Sequence, residues 1–248
     1  AHPTFRGASS AFVGGVPAFR AASAKALSPG VKFRAAASAS TSTSSLSINR
    51  PAGTVADDVL IAAIGVRPMT ATISAPSGWT LVRRTDNSVN QGNSLAVFRK
   101  VATASVPSSY AFDVTGVTEA VGGIQAFYNV DTANPVDVED GLATNPASNS
   151  HHTPSVTTTV AGAMLVTAHT YPTATTWTPP TGMTEGFESQ LSGGAPNSGQ
   201  SMEGAYVLQA SAAGSGAKSA TAAGGSGAED YGVTHILALT PAAPLLSI

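Results

Sequence analysis

The stretch Val59-Leu60-Ile61-Ala62-Ala63-Ile64-Gly65-Val66 is a continuous run of apolar residues in the first third of the chain. An uninterrupted run of this length and β-branched content is typical of a strand buried on both faces. Just before it, Ser44-Ser45-Leu46-Ser47-Ile48 alternates polar and apolar residues, which is typical of a half-buried strand. These two stretches predict a central strand at Val59–Val66 preceded by an outer strand at Ser44–Asn49.

The same texture continues through the rest of the chain. From about residue 35, short stretches rich in Val, Ile, Thr and Ser are interrupted by Gly, Pro and Asn every 8–12 residues, the spacing of an all-β sandwich or barrel. The strands predicted on this basis are Ser44–Asn49, Val59–Val66, Trp79–Thr85, Ser94–Ala102, Tyr110–Val114, Gly123–Tyr128, Ser155–Thr159, Ala163–His169, Met183–Gln190, Met202–Gln209, Gly216–Thr221 and Gly232–Thr240.

The two sets of predicted strands resemble each other. The marks that recur in the same order are Pro76-Ser77-Gly78-Trp79-Thr80 as Pro180-Thr181-Gly182-Met183-Thr184, Val59-Leu60-Ile61 as Met164-Leu165-Val166, and Gly123–Phe127 as Val233–Leu237. In the first of these, proline presets φ at a turn, glycine supplies a positive φ, and the large residue that follows fills the core. The repetition predicts an internal duplication.

We therefore predict an all-β fold: an antiparallel β-sandwich with jelly-roll-like connections, built from two pseudo-equivalent halves at about 35–130 and 154–241. A long loop at about 130–153 joins the halves, and an extended N-terminal arm at 1–34 precedes the sandwich. A single domain at 35–248 is favoured over two tandem sandwiches, because each half contains too little apolar material for a separate core.

The arm carries a repeated pair of residue types. Phe-Arg occurs at Phe5-Arg6, Phe19-Arg20 and Phe33-Arg34, 14 residues apart each time, with Phe12 midway between the first two pairs. Aromatic rings that fill pockets and guanidinium groups that bind carboxylates are common anchors of protein interfaces. The seven residues are predicted to dock the arm on a partner, with a neighbouring subunit favoured over the chain's own domain.

Charge is unevenly distributed along a chain whose formal net charge is only −2. Residues 1–56 contain six cations and no carboxylate, whereas residues 101–248 contain eleven carboxylates and one cation, Lys218. A basic arm and an acidic body attract each other between copies, which favours head-to-tail or ring assembly. The cations are too dilute for a nucleic-acid-binding arm, so no nucleic-acid partner is predicted.

Motifs that carry chemistry are sparse. The chain has no cysteine, which excludes disulfides and thiolate chemistry. Gly199-Gln200-Ser201-Met202-Glu203 lacks the closing glycine of a nucleophile elbow, and Gly224-Gly225-Ser226-Gly227 lacks the lysine of a phosphate-binding loop. The chain contains no run of about 18 apolar residues, the length needed to span a membrane as a helix. We predict no enzymatic activity, no cofactor and no membrane partner.

The histidines do not indicate a metal site. His151 and His152 lie near the carboxylates of Asp137–Asp140, but adjacent side chains in a strand point to opposite faces, and a solvated loop is the favoured interpretation. His169 and His235 fall in predicted strands and are interpreted as ordinary core or surface residues. No metal is predicted.

Several longer stretches resemble a known module. They are Val31–Ala37, Arg50-Pro51-Ala52-Gly53, Asp58–Ala62, Pro76–Arg84, Phe98–Ala102, Asn129-Val130-Asp131 and Asn134–Asp137. Together they resemble a β-sandwich module of secreted actinobacterial proteins and of actinophage virion proteins of the minor-tail type. The resemblance covers roughly residues 31–241 and implies a fold but no catalytic residues.

The start of the chain favours the phage members of that module. Ala1 is a residue that remains after removal of an initiator Met, and the opening residues lack the apolar segment of a signal peptide. The expected function is that of a non-catalytic structural protein of a bacteriophage virion, of the minor-tail or capsid-decoration type, assembled in the host cytoplasm. Its expected partners are other virion proteins, copies of itself and a host cell-surface glycan. The alternative is a secreted, extracellular carbohydrate-binding or adhesion module.

Overall fold

A computed structural model describes residues 30–89, 92–195, 198–223 and 230–244. These residues form strands and loops without a helix, so the all-β prediction is confirmed and no described helix is long and apolar enough to cross a membrane. The strands are β1 (Lys32–Thr41), β2 (Ser45–Asn49), β3 (Val59–Arg67), β4 (Thr80–Asn87), β5 (Asn93–Val101), β6 (Ser109–Asp113), β7 (Glu119–Tyr128), β8 (Val136–Ala143), β9 (Ser150–His152), β10 (Ala163–Tyr171), β11 (Trp177–Thr178), β12 (Thr184–Ser192), β13 (Gly199–Gln209), β14 (Ser219–Ala222) and β15 (Val233–Leu239).

Two five-stranded antiparallel sheets form the centre of the molecule. Their strand orders are β1-β7-β3-β5-β4 and β12-β13-β10-β15-β8. All residues of β3 and of its counterpart β10 are buried, as the continuous apolar run predicts for a central strand. Read from β8, the second sheet repeats the first strand for strand, so the two halves have the same topology.

The connections within each half are jelly-roll-like. The first strand of each half pairs with the last, β1 with β7 and β8 with β15. The second strand pairs with the penultimate one, β2 with β6 and β9 with β14, in a separate small sheet. This nesting wraps each half around its own core.

The sheets stack in four layers. One face of each five-stranded sheet packs against the other half, through residues such as Ile61 and Ala63 on β3 and Met164 and Val166 on β10. The opposite face of each sheet is covered by that half's small sheet, which creates two outer cores. The halves therefore share one central core.

β-Bulges occur at matching positions in the two halves. Register shifts place the extra residue at Arg34 in β1 and Asp137 in β8, and at Val82 in β4 and Gly186 in β12. These four strands are the edges of the two large sheets. A bulge twists an edge strand and hinders its pairing with another chain. The repeated bulges support the internal duplication and show that the sheet edges are protected.

Several details differ from the sequence prediction, among them β1 and β11, which are absent from the predicted strands. The loop predicted at 130–153 contains β8 and β9, so the second half begins at Val136 rather than 154. Strand β8 reads as a loop because its three carboxylates and a glycine mask an edge strand. The predicted strand Ser155–Thr159 reduces to one bridge, Thr157 to Gly214.

The alignment of the two halves also differs from the sequence prediction. Phe127 pairs with Val59 and its counterpart Leu239 pairs with Met164, so β7 and β15 correspond two residues away from the alignment predicted by sequence. Since the error is an even number of residues, each side chain was still assigned to the correct face.

Candidate functional site

The predicted docking residues divide between the described and the remaining chain. Phe5, Arg6, Phe12, Phe19 and Arg20 lie outside the described residues. Phe33 and Arg34 lie in β1, which begins at Lys32, so the structure places this pair in the sandwich rather than in the arm.

The Phe33–Arg34 pair is held by contacts within the chain. The Phe33 ring stacks on Tyr206 of the second half with centroids 4.1 Å apart and meets Phe127 edge-on at 5.7 Å. Arg34 binds the buried carboxylate of Asp58 through two contacts, Nε to Oδ2 at 2.6 Å and Nη2 to Oδ1 at 2.8 Å. The pair joins an aromatic stack to a two-contact ion pair, the combination expected of an interface anchor.

The outer core of the first half is apolar. Ile64 on β3 faces Ala96 on β5, and Leu46 on β2 faces Phe112 on β6. Trp79 closes this core by packing edge-on against Tyr110 at 5.1 Å and against Phe112. The sequence prediction that the large residue after the Pro-x-Gly turn fills the core is confirmed for this half.

The outer core of the second half is polar at the matching positions. The pair His169–Glu203 stands where the first half has Ile64–Ala96, and the pair His151–Ala220 stands where it has Leu46–Phe112. The match is fixed by equivalent backbone bonds, Val114 to Ser44 and Ala222 to Asn149. Asn149 Oδ1, His151 Nε2 and Glu203 Oε1 are buried there without a hydrogen-bond partner among the described residues. The duplication thus places polar groups in a compartment that this fold can fill with hydrocarbon.

The His169–Glu203 pair is completely buried. His169 Nδ1 lies 3.0 Å from Glu203 Oε2, and His169 Nε2 lies 3.0 Å from the backbone oxygen of Lys218. The backbone oxygen only accepts, so Nε2 carries a proton, and a second proton lies between Nδ1 and the carboxyl group. The imidazole ring and the carboxyl group are therefore joined by a hydrogen bond.

His151 is buried beside the aromatic side chains of this core. Its ring lies 5.3 Å from that of Tyr171 and 5.7 Å from that of Trp177, and its Nδ1 is 2.7 Å from Thr144 Oγ1. Burial lowers the pKa of His151 to about 4, with a smaller contribution from nearby His169. His151 is thus neutral near pH 7.

The arrangement lacks the geometry of a catalytic triad. In a triad the histidine nitrogen opposite the carboxylate meets a nucleophile, whereas His169 Nε2 meets a backbone carbonyl oxygen. Ser201, the nearest match to an elbow serine, accepts from Trp177 Nε1 and donates to Thr173 O. No three His, Asp or Glu side chains in the described ranges are grouped to hold a metal ion. Instead, His169 Nε2 binds the backbone carbonyl oxygen of Lys218 and holds that segment in place.

A second polar group lies where the edges of the two large sheets meet. Arg83 on β4 binds Glu139 on β8, with Nε to Oε2 at 2.7 Å, and His235 Nε2 lies 3.1 Å from the same oxygen. The hydrogen bond with His235, together with Arg83, lowers the pKa of Glu139 to about 2. Burial lowers the pKa of His235. At the matching seam, the Phe187 ring packs directly on Gly123, where the first seam has the Arg83–Glu139 ion pair.

A surface groove of about 240 Å³ lies outside the His169–Glu203 pair. It is lined by Pro180 and Thr181 of the second Pro-x-Gly turn and by Ala217, Lys218 and Ser219 at the start of β14. In the first half, Trp79 and Tyr110 meet at this place, and Met183 and Lys218 occupy the matching positions. The pair of aromatic rings that closes the outer core of the first half therefore has no counterpart at these two positions of the second half.

The polar core and the groove were not predicted from the sequence. The alignment of Val59–Ile61 with Met164–Val166, continued by three residues, pairs Ile64 with His169 and would have revealed an apolar-to-polar change. It gives no sign of Glu203, because that carboxylate meets His169 only through the pairing of β10 with β13.

Comparison of the chain with protein-family models, with curated proteins and with solved structures finds no match. The resemblance to the actinobacterial and actinophage module therefore stays a hypothesis that depends on the residues quoted above.

Proposed function

We propose that this chain is a non-catalytic structural subunit of a bacteriophage virion, of the minor-tail or capsid-decoration type. Its basic N-terminal arm anchors it to neighbouring subunits, and the double sandwich stands on the particle surface. The observation that carries the proposal is the geometry of Phe33 and Arg34, which pair a stacked ring with a two-contact ion pair.

The proposal applies this geometry to the two earlier pairs. Phe5-Arg6 and Phe19-Arg20 repeat the same two residue types at the same spacing. The contact of Phe33 with Tyr206 in the second half uses an aromatic ring, and the ion pair of Arg34 uses a carboxylate. A neighbouring copy offers carboxylates, because the second half of the chain is strongly acidic. Basic arm and acidic body make a head-to-tail contact between copies.

The protected sheet edges support the same mode of assembly. Because all four edge strands of the large sheets carry a bulge, direct strand addition between copies is disfavoured. An arm that reaches a neighbour avoids this obstacle. It also leaves the central core of each copy intact.

The test compares the full chain with a variant lacking residues 1–29 and with the point variant F5A/R6A/F19A/R20A. The described residues begin at Gly30, and the unfolding midpoint of each variant checks that the sandwich stays folded. Sedimentation velocity at low and high salt should show self-association of the full chain, weakened by salt, and monomers of both variants. S9A/S10A in the same arm is the matched control and should associate normally.

Incorporation into particles provides the decisive measurement. Particles assembled with each tagged variant are purified, and the copies per particle are counted by quantitative mass spectrometry. The proposal predicts strongly reduced occupancy for the arm variants. Full occupancy of the variant lacking residues 1–29 would show that the arm does not anchor the protein.

A further inference from the structure

We propose that the groove at Lys218 binds one sugar unit that carries one anionic group, a carboxylate or a phosphate, with the Lys218 ammonium as its cation. This surface is distinct from the N-terminal arm, and the inference does not depend on virion assembly. It follows from the free charge, from the lining and size of the groove, and from the rigid support beneath it.

The charge of Lys218 has no partner within the described chain. Lys218 is the one cation in residues 101–248, which contain eleven carboxylates. Among the described residues its ammonium forms no hydrogen bond and no ion pair, although its backbone does. An ammonium that has no partner within the described chain is free to form a charged hydrogen bond with the anionic group of a ligand.

The lining suits a sugar ring. The hydroxyl groups of Thr181 and Ser219 form no hydrogen bond with other described side chains or backbone, and both residues are exposed. Pro180 supplies an apolar wall. Free hydroxyls, an apolar wall and a cation match the hydroxyls, the C–H face and the acidic group of a uronic acid or a sugar phosphate. A volume of about 240 Å³ fits one such ring and lies below the roughly 300 Å³ at which sites for drug-sized ligands begin.

The backbone beneath the cation is fixed by buried groups. Lys218 N–H donates to Thr153 Oγ1 at 3.1 Å, and its carbonyl oxygen accepts from Thr153 N and from His169 Nε2, both at 3.0 Å. Glu203 in turn orients the His169 ring. His169 and Glu203 act as positioning residues, and a preorganised base reduces the entropy lost when a ligand binds. This gives the polar core of the second half a role that the apolar core of the first half does not have.

The experiment is an NMR titration of the full-length ¹⁵N-labelled chain with glucuronate, glucose 6-phosphate, glucose and acetate. The two anionic sugars distinguish a carboxylate from a phosphate source, and glucose and acetate test the charge and the ring separately. At least one anionic sugar should shift the amides of Thr181, Lys218 and Ser219 saturably. Glucose, which lacks the charged hydrogen bond, and acetate, which lacks the ring and its hydroxyls, should each bind at least about tenfold more weakly.

Three variants test the residues. K218M, which removes the charge and keeps an unbranched side chain, should weaken binding of the anionic sugar about tenfold. M183W introduces the tryptophan that fills the matching place in the first half and should abolish binding, with an unchanged unfolding midpoint as evidence of folding. K100M is the matched control: Lys100 lies beside the first Pro-x-Gly turn, with Nζ 3.4 Å from Ser77 O, and its loss should change nothing.

The positioning role has a separate readout. H169I/E203M should weaken binding while the amide spectrum elsewhere stays folded. Absence of saturable shifts with both anionic sugars, equal affinity for glucose, or unchanged binding by K218M would each overturn the proposal.

Discussion

Replacing the buried pair in the second half with hydrocarbon should cost little, whereas breaking it should cost much. The first half shows that the fold accepts an apolar residue at the His169 position, because Ile64 stands there opposite Ala96. We therefore consider H169I, E203M and the double variant H169I/E203M. Methionine is close to glutamate in volume and unbranched, so no large cavity is created.

The magnitudes follow from burial. Both side chains are fully buried, so E203M leaves His169 Nδ1 without a partner and H169I leaves the carboxyl group without one. Breaking a buried pair in this way typically costs about 3–5 kcal/mol, whereas replacing both partners is neutral or stabilising by up to about 4 kcal/mol. In the double variant the carbonyl oxygen of Lys218 still accepts from Thr153 N. The double variant should lie within about 1 kcal/mol of the parent protein or above it.

The assay is a double-mutant cycle by urea unfolding at pH 7, in which the free energy of unfolding is compared at constant m-value. I64H is the matched control: it places a histidine in the apolar core opposite Ala96 and should destabilise the protein by about 3 kcal/mol or more. If the losses of the two single variants simply add in the double variant, the pair is not the coupled unit described above.

Three further predictions concern stability. The folded-state pKa of His151 is lowered from 6.5 to about 4, so it contributes up to about 3 kcal/mol that is present above pH 6.5 and is lost as the pH falls to 4; H151L should flatten that part of an unfolding-versus-pH profile. The pKa of Glu139 is lowered from 4.5 to about 2, so its contribution is present above pH 4.5 and lost toward pH 2; R83M should reduce the acid dependence in that lower window, and an unchanged profile would contradict the seam geometry. G123A should cost about 1–3 kcal/mol in thermal or urea unfolding because its methyl group collides with the Phe187 ring, whereas G214A, with open space around it, should be silent.

Much of the fold could be predicted from residues alone, and for identifiable reasons. The uninterrupted apolar run Val59–Val66 predicts a strand that is buried on both faces, and β3 is buried throughout. The Pro-x-Gly-Trp turn is predictable because proline fixes φ and glycine allows a positive φ, and Trp79 packs in the core as expected. The duplication was visible because its marks are local and recur in order.

Two of the four edge strands, β1 and β8, were not predicted, for the complementary reason. Strand β1 is rich in alanine and serine and β8 is rich in carboxylates, so neither has the β-branched pattern of a strand. They are strands because β7 and β15 offer them hydrogen-bonding edges, and tertiary context overrides weak propensity.

The sequence by itself determined the all-β class, the central strands, the turns and the repeat, because each depends on residues that are close together along the chain. The tertiary structure alone decided that His169 meets Glu203, that Arg83 meets Glu139 across the halves, and that a groove opens at Lys218. The His169–Glu203 contact joins residues 34 positions apart, and the Arg83–Glu139 contact joins residues 56 positions apart. The groove likewise brings the turn at Pro180 next to the start of β14. Such contacts exist only once strand register and sheet stacking bring the side chains to the same face.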